Sequence, residues 1–312
     1  MKPDLVSVII PTKDRPVRVA RAIQSVLNQT YVNLEVIVVD DGSKELLKPH
    51  YGDSRLKIIR NERPIGGAGA RNTGMRVASG AYISLLDDDD YYFPEKIEKQ
   101  LRFLHQNPDV DMVFSKILMV NENTGFYTKP YGDDYTYEAV DNLHRFNMIH
   151  NNATLFKREV ATRIAFDESL ERYQDTQFNI AVSLNYKVAF LPEEVAVWNV
   201  DKSDNRIDPT MSLENSEKEF VNFQRLGKIF SDAIEHDEEL KKAYYHRLLI
   251  MARCANKTAE AREILHQMES LSERVFYVLF SLAWSFSPWM LNIWRRKYKR
   301  YDIADDPRLH FA

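Results

Sequence analysis

The stretch Ala81-Tyr-Ile-Ser-Leu-Leu-Asp-Asp-Asp-Asp90 leads from a largely apolar run into four consecutive carboxylates. The apolar part reads as a buried strand. Its end then gathers like charges, which repel unless water or a cation relieves them. Oxygen-only donors suit magnesium or manganese over zinc, and those ions usually accompany a substrate diphosphate. A solvated acidic loop or a helix cap has the same composition, so the run by itself leaves those readings open.

Working outward, apolar segments at 5–10, 34–39, 56–59, 81–86 and 112–114 predict strands. Between them Val19, Ile23, Val26 and Leu27 mark one helix face, and 68–78 forms a second crossover segment. Alternation of this kind predicts a mostly parallel sheet covered by helices. Ile97, Leu101 and Leu104 repeat at helical spacing after Pro94, which places the acidic run between a strand and a helix. Beyond residue 115 the rhythm becomes irregular. Gly125, Pro130 and Gly132 fall in a tyrosine-rich connection that suits acceptor-facing loops. Further strands are expected at 187–191 and, after Pro192, at 195–200. Helix formers then dominate, predicting helices near 212–232, 237–252 and 258–270. The division expected is a catalytic domain over 1–210 and a helical region over 211–312.

The chain has 312 residues, enough for an enzyme with one large core and an appendage. Its 42 basic and 46 acidic residues give a net charge of −4, which offers no chain-wide attraction to nucleic acid. A single cysteine, Cys254, excludes an intrachain disulfide and fits a reducing, cytoplasmic compartment. No apolar leader precedes the polar Thr12-Lys-Asp-Arg15.

Leu34-Glu-Val-Ile-Val-Val-Asp-Asp-Gly-Ser43 is a second strand with acids at its carboxyl end, where open α/β sheets bind ligands. Asp40 or Asp41 can accept hydrogen bonds from a base or ribose, while Gly42 and Ser43 permit a tight turn; an ordinary Asp-Gly turn explains them equally well. Pro11-Thr12-Lys13 can bring backbone donors and Thr12 around a nucleotide. Gly66-Gly-Ala-Gly-Ala-Arg-Asn-Thr-Gly74 lacks the spacing of a dinucleotide loop, though its small residues allow a helix to approach closely. Arg71 in that stretch sits near phosphate or pairs with the acidic loop.

Taken in order, Ser7-Val-Ile-Ile-Pro-Thr-Lys-Asp-Arg15, Val39-Asp-Asp-Gly-Ser43, Gly69-Ala-Arg-Asn-Thr-Gly74 and Leu86-Asp-Asp-Asp-Asp90 resemble family 2 glycosyltransferases with the GT-A fold, over about residues 4–205. The resemblance implies an α/β GT-A fold with a mostly parallel central sheet flanked by helices, followed by the helical C-terminal region. It implies transfer from a nucleotide-diphospho-sugar, a UDP-sugar by preference, with inversion at the anomeric carbon. Pro11, Thr12 and Asp41, with Asp40 close by, match the nucleotide-recognition positions. The family's Asp-x-Asp pattern falls on Asp87, Asp88 and Asp89, with Asp87 near ribose and metal and Asp89 as the strongest ligand to Mn2+ or Mg2+. Asp90 matches an additional acid.

The resemblance also places an acceptor-side segment at 166–178. Gln174-Asp175 stands there where the family usually has Glu-Asp, so Asp175 is expected to be the base and Gln174 an orienter or acceptor contact. A helix cap is the structural alternative for Asp175. His150, Asn151 and Asn152 are expected near the acceptor. Trp198, with Asp201 and Arg206 in a closing segment, offers a face for a sugar or an ordinary core packing residue.

The expected acceptor is a saccharide or lipid-linked glycan of bacterial surface-polysaccharide assembly, with glucose or galactose as the transferred hexose. A metal-dependent nucleotidyltransferase and a non-enzymatic glycan-binding module are the competing classes. Residues 275–294 carry no formal charge, and Arg295-Arg-Lys-Tyr-Lys-Arg300 follows. This predicts a helix lying on anionic lipid at the cytoplasmic face of the membrane, with packing on the catalytic domain or in a homo-oligomer as alternatives.

Overall fold

Val6–Thr12 (β1) and Leu34–Asp40 (β2) are strands whose near-continuous apolar residues are covered on both faces, as a parallel core requires. The computed structural model describes residues 4–47, 52–129, 149–200, 213–267 and 300–309. Leu56–Arg60 (β3) and Tyr82–Leu85 (β4) complete a parallel group in the order β4-β1-β2-β3. Pro16–Leu27 (α1) opens with proline, whose missing amide donor costs nothing there, and buries Val19, Ala22, Ile23 and Val26. Lys96–Gln106 (α3) lies against the same core, burying Ile97, Leu101 and Leu104. Gly66–Val77 (α2) covers the opposite face.

The acidic run comes off the end of β4. Two residues of extended chain, Tyr91–Tyr92 (β5), then pair antiparallel with Val188–Asn199 (β9). Met112–Asn121 (β6) is far longer than its first three apolar residues suggested, and it runs beside β9 in parallel. The segments expected at 187–191 and 195–200 are one strand. Leu191 pairs with Ser115 and Glu194 with Lys116, so Pro192 and Glu193 bulge out of the ladder. Proline has no amide to give, and a bulge tolerates it.

Thr154–Lys157 (β8) is antiparallel to β4, with Ile83 opposite Phe156. Antiparallel pairing brings the chain entering β8 to the end from which the acidic run leaves. Arg158–Arg163 (α4) and Gln174–Asn185 (α5) then pack on the α2 side. Among the described residues four further helices follow: Leu213–Ile229 (α6), Ser231–His236 (α7), Glu238–Cys254 (α8) and Thr258–Gln267 (α9). They share a core of Phe220, Phe223, Leu226, Leu248 and Ile264 that extends to Leu170 and Ile180.

The chain does not end among these helices. Arg300–Asp302 (β10) joins the sheet beside Phe126–Thr128 (β7), and Leu309 packs with Tyr91, Phe93 and Tyr127. A three-residue strand has no periodicity to read, which is why the sequence left it within the helical region. The 275–294 segment, the 130–148 part of the tyrosine-rich connection, Asp201 and Arg206 lie outside the described residues. Among the described residues no helix is long and apolar enough to cross a membrane.

Candidate functional site

The parallel register sets Thr12 beside Asp40, at the carboxyl ends of β1 and β2. The β4 ladder on β1 ends three residues earlier: Leu85 stands opposite Ile9, and the Leu86 amide donates to the Ile9 carbonyl at 3.0 Å. The next residues therefore swing past Thr12. In the tetrad the Asp87 side chain is 26% exposed, whereas those of Asp88 and Asp89 are almost covered and Asp90 is buried.

Asp88 and Asp90 are structural in their contacts. Asp88 accepts from the Thr12 hydroxyl at 2.7 Å and the Arg15 guanidinium at 2.9 Å, while burial pushes its carboxyl pKa up. Asp90 accepts from the Asn152 side-chain amide and, at 2.8 Å, from the Asn199 backbone amide. Asp89 faces Arg15 at 3.3 Å and Arg18 at 3.8 Å. Asp87 accepts from Arg71 at 2.5 Å.

Arg71 rises from α2 and is almost fully buried, with a second nitrogen 3.8 Å from Asp175. Burial opposes its charge, yet the Asp87 and Asp175 carboxylates hold it firmly protonated. It thus bridges the acidic run and the expected base, a role between the two readings its sequence allowed.

Asp175 stands in the first turn of α5 and keeps 38% of its side chain exposed. Asn151 donates to it at 2.7 Å, and Asn179 supports Asn151 with bonds to the Ile149 carbonyl at 2.9 Å and to the Asn151 side chain at 3.3 Å. Burial pushes the Asp175 carboxyl up, Arg71 works against that, and Asp87 adds to it. Tyr173, just before the helix, has a left-handed backbone with φ 64°, which costs a bulky residue about 1–3 kcal/mol.

The asparagines expected near the acceptor are instead wholly buried linkers. Asn152 donates to Asp90 and accepts from the Asp87 backbone amide at 2.9 Å, so consecutive residues hold Asp175 and the acidic run. A buried Asn-Asn turn carries no periodic signature, and sequence reasoning missed its function. It also missed Arg15 and Arg18.

His150 packs against Trp198 with ring centroids 5.1 Å apart, and burial holds its imidazole below its usual pKa. Trp198 is partly covered by the α1 and α3 core, so it is both a packing residue and a partly open face. Gln174 turns its amide back to the Leu170 carbonyl at 2.7 Å.

Asp40 and Asp41 are likewise engaged. Asp40 accepts from Arg60 at 2.7 Å and from the Ser43 amide at 2.8 Å. Asp41 accepts from Asn61 at 2.8 Å and from the Gly66 amide at 2.8 Å, where α2 begins. A carboxylate there satisfies amides that have no helical partner and suits the helix dipole. Pro11 lies beside Val39 in the register. The glycine-rich stretch belongs to α2. A Cβ at Gly74 would lie 2.3 Å from Ile9 and one at Gly69 would lie 2.7 Å from Ile65, so these glycines serve packing.

Hard oxygen donors from Asp87 and Asp89 suit a divalent cation, but among the described residues no third His, Cys, Asp or Glu joins them in a metal-ligand cluster. That donor set fits an ion shared with a diphosphate better than an all-protein cage.

Residues 7–164 match the family described as Glycosyl transferase family 2. An uncharacterized glycosyltransferase of Methanocaldococcus jannaschii, MJ1057, is 28% identical over 66% of this chain and 74% of its own length. The Escherichia coli UDP-Glc:alpha-D-GlcNAc-diphosphoundecaprenol beta-1,3-glucosyltransferase WfgD is 37% identical over 38% of this chain and 48% of its own. Among solved structures, the mannosyltransferase PcManGT from Pyrobaculum calidifontis, in complex with GDP-Man and Mn2+, aligns with a TM-score of 0.54 at 19% identity, over 91% of this chain and 81% of that one.

Proposed function

Since this chain belongs to glycosyl transferase family 2 and has a GT-A-like α/β fold, we propose that it transfers a hexose, with inversion, from a UDP-linked glucose or galactose donor to a hydroxyl of a saccharide or lipid-linked oligosaccharide. The observation that carries the reading is the pairing of Arg71 with both Asp87 and Asp175, which brings a half-open carboxylate to the edge of the acidic run. The similarity to WfgD, named for UDP-Glc and a GlcNAc-diphosphoundecaprenol acceptor, supports a lipid-linked acceptor in surface-polysaccharide assembly.

Asp175 is the base in this reading. The acceptor oxygen attacks the anomeric carbon, the bond to the departing diphosphate breaks, and the acceptor proton passes to the Asp175 carboxylate. Burial raises the pKa of that carboxyl, bringing it closer to the range useful for proton transfer at neutral pH. Arg71 and Asn151 orient it. Asp89 and Asp87 would hold Mn2+ or Mg2+, which supplies positive charge to the leaving diphosphate when bound. Thr12, Pro11, Asp40 and Asp41 form the nucleotide side, Asp88 supports Thr12, and Gln174, His150 and Trp198 line the acceptor side.

The catalytic domain extends to about residue 210 and is rejoined by 300–309, and residues 275–300 hold the enzyme at the cytoplasmic face of the membrane. Liposome co-sedimentation that persists after their removal would refute that anchor. A donor panel with a mixed lipid-linked acceptor pool tests the reaction, with product mass and anomeric configuration as readouts. Inverted product and free nucleoside diphosphate are expected. A retained configuration, or pyrophosphate released from a nucleoside triphosphate, overturns it.

A further inference from the structure

The left-handed backbone of Tyr173 persists only where its surroundings hold it, because a side chain with a Cβ disfavours that geometry. The holding groups come from the C-terminal helices. Glu219 on α6 accepts hydrogen bonds from the Tyr173 hydroxyl and from the Arg172 guanidinium. The Tyr173 ring meets Phe223 edge-on with centroids 5.4 Å apart, and Arg247 of α8 lies 5.7 Å from the Phe223 ring centre. One turn away, Asn222 accepts from the Glu171 backbone amide at 3.2 Å. Burial, reinforced by Glu219, pushes the Tyr173 phenol well above its usual pKa, so the hydroxyl stays protonated and able to donate.

Three consecutive residues, 171–173, are therefore gripped by one face of α6 immediately before α5 delivers Asp175. The Tyr173 torsion sets the direction in which α5 starts. If Tyr173 relaxed into an ordinary backbone region, the first turn of α5 would rotate away from Arg71 and Asn151. Misplacement of a reacting group by an ångström is enough to lose most of its contribution.

We propose that Glu219, acting through Tyr173 and Arg172, is a positioning residue for Asp175. The C-terminal helices thereby set the geometry of proton transfer, whatever they also contribute to locating the enzyme. The inference rests on the reading of Asp175 as the base.

The test uses the full chain with UDP-glucose and UDP-galactose as donors and N-acetylglucosaminyl-diphosphoundecaprenol as acceptor. Glu219→Gln keeps the side-chain shape, and Tyr173→Phe removes one oxygen. Tyr173→Asn accepts a left-handed backbone but cannot make the phenol contact, which separates the anchor from backbone strain. Each is expected to lower kcat at least tenfold while donor KM stays within twofold and the folded fraction is unchanged. Asp175→Asn is measured in parallel. If Asp175→Asn loses turnover while Glu219→Gln and Tyr173→Phe keep kcat within twofold, the positioning role is overturned and the base reading stands. If these variants lower only the melting temperature, with the kcat of folded enzyme intact, the role is structural and the proposal also fails. If Asp175→Asn turns over at the parent rate, the base reading falls and this inference falls with it.

Discussion

Asn151 donates its side-chain amide to the Asp175 carboxylate at 2.7 Å, from a turn whose next residue, Asn152, holds Asp90 and the Asp87 backbone. Neutral amides do this at little electrostatic cost: they orient carboxylates without cancelling their charge. Placing both on one turn fixes the distance between the acidic run and Asp175.

Removing that amide should affect turnover more than donor binding. Asn151→Ala is expected to lower kcat by about tenfold, with donor KM little changed, because Asp175 loses orientation and not its identity. Asn151→Asp should be worse, since it sets a like charge against Asp175. Steady-state nucleotide release checks both, and equal losses in kcat/KM and in donor affinity would contradict the assignment.

The different partners of Asp88 and Asp89 separate binding from stability. Asp89→Ala is expected to weaken metal-dependent donor binding by about tenfold or more while leaving the melting temperature nearly unchanged. Asp88→Ala leaves the buried Thr12 hydroxyl without its acceptor and takes from Arg15 the nearer of two carboxylates, and should cost about 2 kcal/mol or more of stability. Calorimetric titration of donor and urea denaturation distinguish them.

Gly74 tests the packing role of the glycine-rich stretch. A methyl group there would lie 2.3 Å from Ile9, in a core that cannot yield on either side. Gly74→Ala should destabilise by about 1–3 kcal/mol even though alanine favours helix. A gain in stability on denaturation would show that α2 and β1 separate freely.

Lys96 is wholly buried, and its ammonium nitrogen reaches Ser84 at 2.8 Å, Gln100 at 2.7 Å and the Thr154 carbonyl at 3.0 Å, neutral acceptors all. Burial drives its pKa well below the usual lysine value. The unfolded lysine thus keeps its proton to higher pH than the folded one. Between the depressed folded pKa and the ordinary unfolded value near 10.4, the unfolded state binds more protons, so this group makes stability rise with pH. Lys96→Met should flatten that rise. Denaturation midpoints taken from neutral to alkaline pH give the answer; an identical slope in both proteins would mean the lysine titrates normally in the fold.

What could be read from the chain was whatever repeats locally. Val19, Ile23 and Val26 announce a helix face, and 34–39 announces a buried strand, because burial imposes a period on neighbouring residues. The acids at the ends of two such strands likewise mark the sheet edge where ligands bind. Division of labour among Asp87, Asp88, Asp89 and Asp90 was not legible, since four identical residues differ only in what surrounds them.

Sequence alone determined the parallel core, the order of its elements and the residue types gathered at its carboxyl edge. Only the tertiary structure decided that Arg71 bridges Asp87 and Asp175, that Asn151 and Asn152 join Asp175 to the acidic run, and that Glu219 holds Tyr173. The first set follows from burial, which imposes a period on residues that are neighbours in the chain. The second depends on side chains 16 to 104 positions apart, matched by charge and distance once the sheet has set their places.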